Sequence, residues 1–392
     1  MTNYVRHIDH RLREHFNQYR EILLLLGPRQ SGKTTLLKRL FPNAAYLLVD
    51  NEPTRKALES YDLNTYKQLF SANKQLIIDE IHLLSNPGRA AKIIYDQMPN
   101  LNLIITGSSS LNIKNKTAES LAGRFVEYQL MPLTFSEYLV QTGLEKDPNF
   151  QIFELLTTKE THNKNKAHLF DVWQALQNVT IYGLYPHLVD QPQNAEYLIN
   201  LANTLAFKDI DELSLIEKRR DAINLLKLLA FQTGNLINYS ELASKLGLNQ
   251  ETVKRYLEIF EQSFIIYRLY PYFQNKRLEI SKSPKVYFYD TGLRNAIINN
   301  FSSLDLRPDA GSLFENFLVN ETLKANLYSR SNYNLNYWRT KQGSEVDLVI
   351  SSPNKLFGIE TKLGTERASG LAAFINHYPQ AAAKVISSKN FY

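Results

Sequence analysis

The segment GPRQSGKT, Gly27 to Thr34, stands between the apolar run ILLLL (Ile22 to Leu26) and a stretch whose leucines, Leu36, Leu37 and Leu40, recur at helical spacing. A strand, a GxxxxGK[ST] loop and a helix in that order restrict the chain to an α/β design in which the loop wraps a phosphate group. The glycines allow backbone N–H groups to approach phosphate oxygens, and the N-terminus of the helix adds positive potential. Gly27, Gln30, Ser31, Gly32 and Thr35 are the expected loop and phosphate contacts, with Lys33 on the β- and γ-phosphates and Thr34 on a magnesium ion. A plain strand-to-helix turn is the alternative, and the intact pattern in its required context argues against it.

A second strand, Gln75-Leu-Ile-Ile-Asp79-Glu80, ends in two carboxylates. That order suits one acid organising the metal, Asp79 beside Thr34, and the next, Glu80, acting as the base that orients attacking water. An acidic pair after a strand is by itself an ordinary loop start, so this reading leans on the phosphate loop upstream. A third strand, Leu103-Ile-Ile-Thr106, runs into Gly107-Ser108-Ser109-Ser110. Thr106 or Ser108 is placed to sense the γ-phosphate or hold water; the serines equally suit the cap of a following helix.

Next come Leu121-Ala-Gly-Arg124-Phe and MPLTFSEYL. Together GPRQSGKTT, LIIDE, ITGSSS, LAGRF and MPLTFSEYL resemble the AAA+ ATPase domain of bacterial and archaeal proteins that carry a C-terminal DUF4143 region. The resemblance implies an arginine-finger position for Arg124, which would neutralise charge on the transferred phosphoryl group, within one chain or across a subunit boundary. A surface salt bridge is the other reading of Arg124. No second sensor arginine is legible in the lid region.

The 392 residues imply two to four domains, and 44% apolar with 21% charged residues lies in the ordinary globular range. There is no cysteine, which excludes disulfides and thiolate zinc, and the eight histidines form no HExxH. Any metal should then be oxygen-bound, as magnesium is. The charged first twenty residues and the shortness of the apolar runs give no signal sequence or membrane span, so a cytoplasmic protein is expected. A net charge of +6 permits nucleic-acid contact without demanding it.

Between Gln141 and Leu215, polar stretches such as TTKETHNKNKAH alternate with helical spacing in FDVWQALQ and AEYLINLANTLAF. YGLYPHLV and FKDI there match recurring signatures of the resembled family, with core packing as their default role. From Arg219 the segments DAINLLKLLAFQTG, YSELASKLG and NQETVKRYLEIFEQ read as three compact helices, with Ser240 and Asn249 as N-caps and Gly247 in the turn. The strand-like FIIYRLYPYF and KVYFYD, with Lys276, Arg277, Lys282 and Lys285 around them, complete a winged helix. In a DNA-reading mode Gln250, Lys254 and Arg255 would face a groove while the wing lysines approach phosphates. The same fold also serves protein contacts.

In the stretch WRTKQGSEVDLVISSPNKLFGIETK, Trp338 to Lys362, strand alternation puts Glu345 and Asp347 on one face, and Glu360 and Lys362 on one face of the return strand. If the register joins those faces, Asp347 and Glu360 can share a magnesium ion and Lys362 can position water. Asp followed after a hairpin by Glu-x-Lys resembles the PD-(D/E)xK nuclease core, in which the upstream helix often adds an acid, here Glu315. Charges that protect an edge strand, and a solvated Glu315, are the competing readings.

The expected architecture is thus α/β: a P-loop AAA+ ATPase core with a parallel sheet (1–139), a helical lid or connector (140–218), a winged helix (219–290) and a nuclease-like, restriction-endonuclease-like domain (291–392). The expected function is ATP hydrolysis with Mg2+, coupled to nucleic-acid binding, DNA foremost, and to metal-dependent cleavage by Asp347, Glu360 and Lys362. The alternative is a nucleotide-controlled scaffold whose C-terminal domain binds a partner without cutting. A homo-oligomer is compatible with either.

Overall fold

The computed structural model describes residues 4–70, 72–108, 121–149, 152–153, 166–205, 219–273, 282–364 and 370–391. Ser109, Ser110, FKDI, Lys276, Arg277 and most of TTKETHNKNKAH lie outside them. The fold is α/β and divides into two compact units, residues 1–132 and, apart from 262–264, the remainder.

The first unit is built on five parallel strands, β1 (Ile22–Leu26), β2 (Ala45–Leu48), β3 (Gln75–Asp79), β4 (Asn102–Gly107) and β5 (Phe125–Gln129), in the order β2-β3-β4-β1-β5. Every residue of β1 is buried, and β3 and β4 are buried except at their first residues. That is what a parallel sheet covered on both faces requires, and it explains runs of Leu and Ile without alternation. β2 is short and only partly buried. Because the strands are parallel, the ends of β1, β3 and β4 lie along one edge, where ligands of open α/β sheets bind.

In the second unit the helices Arg219–Phe231, Tyr239–Leu246 and Gln250–Gln262 precede the antiparallel pair β6 (Ile266–Leu269) and β7 (Lys285–Phe288), the outline of a winged helix. Asn238, and not Ser240, caps the second of these helices through the Glu241 N–H; Ser240 lies one residue inside it and accepts a bond from Gln250. Asn249 caps the third through the Thr252 N–H, and Gly247 at φ 64° closes the turn between them.

A mixed sheet follows, with β8 (Asn334–Arg339), β9 (Glu345–Ser352), β10 (Lys355–Lys362) and β11 (Ala382–Ser387) in the order β11-β10-β9-β8. One core joins Leu269 and Tyr287 of the wing, Phe314 and Phe317 of the helix Ala310–Ser329, and Leu348, Ile350, Ile359 and Ile386 of this sheet. The core crosses residue 290 without a break. The helix Phe135–Gln141 also belongs to it: the Phe135 N–H donates to Glu321, and Lys324 reaches the Leu133 carbonyl.

The YGLY signature acquires a structural role here. Asp290 accepts from the Leu184 N–H at 2.7 Å and the Leu293 N–H at 2.9 Å, and Gly183, at φ +78°, packs so closely that an added Cβ would lie 2.0 Å from Asp290 Oδ1. Among the described residues no helix is long and apolar enough to cross a membrane. Gly183→Ala should therefore lower the stability of the full-length protein by about 2 kcal/mol, from left-handed backbone strain and the displaced carboxylate. An unchanged urea midpoint would show that the turn is tolerant.

Candidate functional site

The phosphate loop leaves β1 at Gly27, where a Cβ would sit 2.1 Å from the Leu130 carbonyl oxygen, so no larger residue fits. Gln30 is exposed at φ 61°, and Gly32 at φ 96° turns the chain into the helix Lys33–Leu40. Lys33 folds back over the loop, donating to the carbonyls of Gly27 at 2.9 Å and Pro28 at 3.0 Å. Ser31 is fully buried, and its Oγ has no hydrogen-bond partner, while its carbonyl accepts from Arg6. Thr35 is half-buried in the first helical turn.

Asp79 organises the adjoining strand end. Its Oδ2 accepts from Thr34 Oγ1 and from the Tyr46 hydroxyl, both at 2.6 Å, and its Oδ1 accepts from Thr106 Oγ1. The Thr106 Oγ1 also accepts from the Glu80 N–H. Thr106 therefore fixes the two acids relative to β4. Ser108 is buried just beyond β4. Glu80 occupies a left-handed backbone conformation, φ 57°, and its carboxylate lies 3.2 Å from His82 Nδ1. Tyr46 was missed by the sequence reading because β2 carries no motif; burial, and then the bond to Asp79, raises its hydroxyl above the ordinary tyrosine value.

This donor set fits a nucleoside triphosphate with a divalent cation. The orphaned Ser31 hydroxyl needs an acceptor, Lys33 offers an ammonium, and Thr34 with Asp79 supplies the oxygen ligands that magnesium prefers. Arg124 is not brought to this edge. Phe125 pairs with Ile22 at the start of β1, so Arg124 lies roughly 13 Å of strand away from the loop, at about 3.3 Å per residue. Its guanidinium binds Asp96 at 3.0 and 3.3 Å.

The second cluster gathers around the C-terminal hairpin. The paired register of β9 and β10 runs from Lys355 opposite Ser352 to Ile359 opposite Leu348, and against β8 the register of β9 shifts between Asn336 and Trp338. Asp347 Oδ2 accepts from the Thr361 N–H and hydroxyl at 2.7 and 2.8 Å, and Glu360 accepts from Lys362 at 2.8 Å and from the Gly370 N–H at 3.2 Å.

The unexpected member is Lys285 of β7. Expected on the wing surface, it is 2% exposed, with its ammonium 2.5 Å from Glu345, 3.0 Å from Glu315 and 3.8 Å from Asp347. Alternation along the short β7 turns it inward, where the core would reject it without those carboxylates. Burial alone would lower its pKa, but Glu315, Asp347 and Glu345 outweigh burial and hold it above the ordinary lysine value. Glu315 is not a solvated helix residue: it accepts from Lys285 and from Tyr287 at 2.6 Å, and burial pushes its carboxyl up to about 6, because the one ammonium is shared. Burial would likewise lower Lys362, and the Glu360 bond and neighbouring acids raise it instead.

The side chains expected to face a groove pair largely within the chain. Gln250 donates to Ser240, Lys254 to Glu251 at 2.7 Å, and Arg255 lies over the Tyr256 ring.

Comparison with known proteins finds three family matches along the chain. Residues 19–139 match the family described as an AAA domain, residues 174–304 a domain of unknown function (DUF8612), and residues 310–390 a domain of unknown function (DUF4143). The chain is thus an AAA-type ATPase fold joined to a C-terminal DUF4143 domain. An uncharacterized protein of Mycobacterium tuberculosis, Rv2008c, is 26% identical over 345 residues, 87% of this chain and 70% of the relative. The uncharacterized protein MJ1637 of Methanocaldococcus jannaschii is 26% identical over 374 residues, 89% and 76% of the two chains. Among solved structures, the Walker-type ATPase PABY2304 of Pyrococcus abyssi is similar with a TM-score of 0.43 and 15% identity, covering 74% of this chain and 94% of that one.

The raised Glu315 carboxyl has a definite sign in stability. Its neutral form favours the folded state below its ordinary value of 4.5, and this contribution is lost as pH rises through about 6. Relative to Glu315→Gln, the wild type should lose about 2 kcal/mol of stability between pH 4 and pH 7.5. A difference in urea stability that does not vary with pH would contradict this.

Proposed function

We propose that the protein binds and hydrolyses ATP with Mg2+ and couples its nucleotide state to the binding of nucleic acid, DNA foremost. The observation that carries the ATPase half is the Thr34–Asp79–Thr106 chain of hydroxyl and carboxylate contacts beside the phosphate loop. In this reading Lys33 and the loop N–H groups hold the phosphates, Thr34 and Asp79 hold the cation, and Glu80 orients the attacking water. The nucleic-acid half rests on the winged helix and its Lys254 and Arg255. A second reading, in which the same modules hold a protein partner, is favoured by the self-pairing of Gln250 and Lys254.

One set of experiments separates these outcomes. Lys33→Ala should abolish ATP turnover, and Glu80→Gln should retain ATP without hydrolysing it; full turnover in either variant contradicts the site assignment. With ATP held by Glu80→Gln, DNA affinity should differ from the ADP state by roughly tenfold or more. In Lys254→Ala/Arg255→Ala the salt dependence of DNA binding should fall by about one to two phosphate contacts. An unaltered salt slope would transfer the binding function to a protein partner.

Arg124, at the far end of its strand from the loop, would act in this reading on the phosphate of a neighbouring copy. Mixing Arg124→Ala with Lys33→Ala protein should then restore part of the turnover that each lacks alone, because mixed assemblies contain competent junctions. Absence of rescue at equal concentrations would reduce Arg124 to its ion pair with Asp96.

A further inference from the structure

The hairpin acids have a cation already. Lys285 has three N–H donors, and three carboxylates surround it, those of Glu345, Glu315 and Asp347. The oxygens a divalent ion would use at the hairpin are also engaged: Asp347 Oδ2 by Thr361, Glu360 Oε1 by Lys362, and Glu360 Oε2 by the Gly370 N–H. Glu345 has a further ion pair with Arg339 at 3.4 Å. Four carboxylates thus meet three cations within the cluster, Lys285, Lys362 and Arg339. Among the described residues no group of three or more Asp, Glu or His side chains is arranged to hold a metal ion.

Magnesium requires near-octahedral oxygen coordination at about 2.0–2.1 Å. To enter among Glu315, Glu345 and Asp347, it would have to displace an ammonium whose side chain is buried and held by those carboxylates. A buried lysine left without its acids, or acids left without their lysine, is an uncompensated buried charge, so the arrangement resists exchange. The residues therefore do not fit the metal that their likeness to a PD-(D/E)xK core implies.

We propose that Lys285 is the resident cation of the Glu315–Glu345–Asp347 cluster and replaces a divalent metal there, so that the C-terminal domain binds its partner without metal-dependent cutting. Lys285 comes from the wing strand, and the acids come from the long helix and the hairpin. The same ion cluster accordingly fastens the wing to the C-terminal sheet, which gives the buried charges a structural reason to persist. The proposal leaves the identity of the partner to the reading above and adds what the domain does to it.

The test is Mn2+ binding to the full-length, nucleotide-free protein, followed by water-proton relaxation. Wild type and Asp347→Asn should bind the same number of Mn2+ ions. Lys285→Met should gain one ion per chain, and Lys285→Met/Asp347→Asn should lose it again. A wild type that binds one more ion than Asp347→Asn overturns the proposal, as does Mg2+-dependent DNA cleavage that disappears in Asp347→Asn. A folded Lys285→Met that gains no ion also overturns it. Should Lys285→Met fail to fold, the comparison of wild type with Asp347→Asn decides alone. All chains share one phosphate loop, so the difference in Mn2+ uptake is independent of whether the ATPase assignment stands.

Discussion

A helix buried along most of its surface needs partners for the polar groups it carries, and the second unit is arranged around that constraint. The helix Ala310–Ser329 buries Asn316, Asn320, Glu321 and Lys324 along with its apolar residues. Asn316 pairs with both backbone groups of Phe288, and Asn320 donates to the same carbonyl. Glu321 takes the Phe135 N–H and the Lys324 ammonium, which itself reaches the Leu133 carbonyl. These polar residues therefore fix two neighbours, the wing strand at one level through Asn316 and Asn320 and the entering segment at another through Glu321 and Lys324. Such groups are costly to leave unpaired, so together they specify a single packing in a way that apolar contacts alone do not.

Glu315 belongs to this series and connects it to the hairpin. Its burial beside Lys285 means that the acidic cluster, the wing and the long helix form one electrostatic unit. The apparent nuclease motif is in this sense part of the scaffold: each hairpin acid has a protein partner, and the strongest of them is an ammonium contributed from more than fifty residues upstream. The phosphate-loop edge shows the opposite arrangement. There Ser31 Oγ is left without a partner and the Asp79 contacts are hydroxyls, neutral groups that can exchange a proton donor for a cation.

The parts of the fold legible in sequence were those where one short segment carries its own constraint. The loop GPRQSGKT, the continuous apolar β1, β3 and β4, the cap at Asn249 and the alternation of the hairpin all rest on neighbours in the chain. β2 was missed because a short, half-buried strand has no distinctive pattern. Lys285 was misread as a wing lysine because its burial depends on three acids far away in sequence. Ser240 was taken for a cap since its residue type suits one, whereas Asn238 lies one residue before the helix and fills that role.

Sequence by itself determined that the chain holds a GxxxxGK[ST] loop on an α/β sheet and that a magnesium-compatible acid ends a second apolar strand. Local periodicity and loop chemistry suffice for these. Only the tertiary structure decided that Arg124 sits at the far end of its strand from the loop, that Thr106 and Tyr46 hold Asp79, and that Lys285 stands among the hairpin acids. Those facts depend on which strand ends and which buried charges meet, and the low tolerance of a protein interior for an unpaired charge selects the partners.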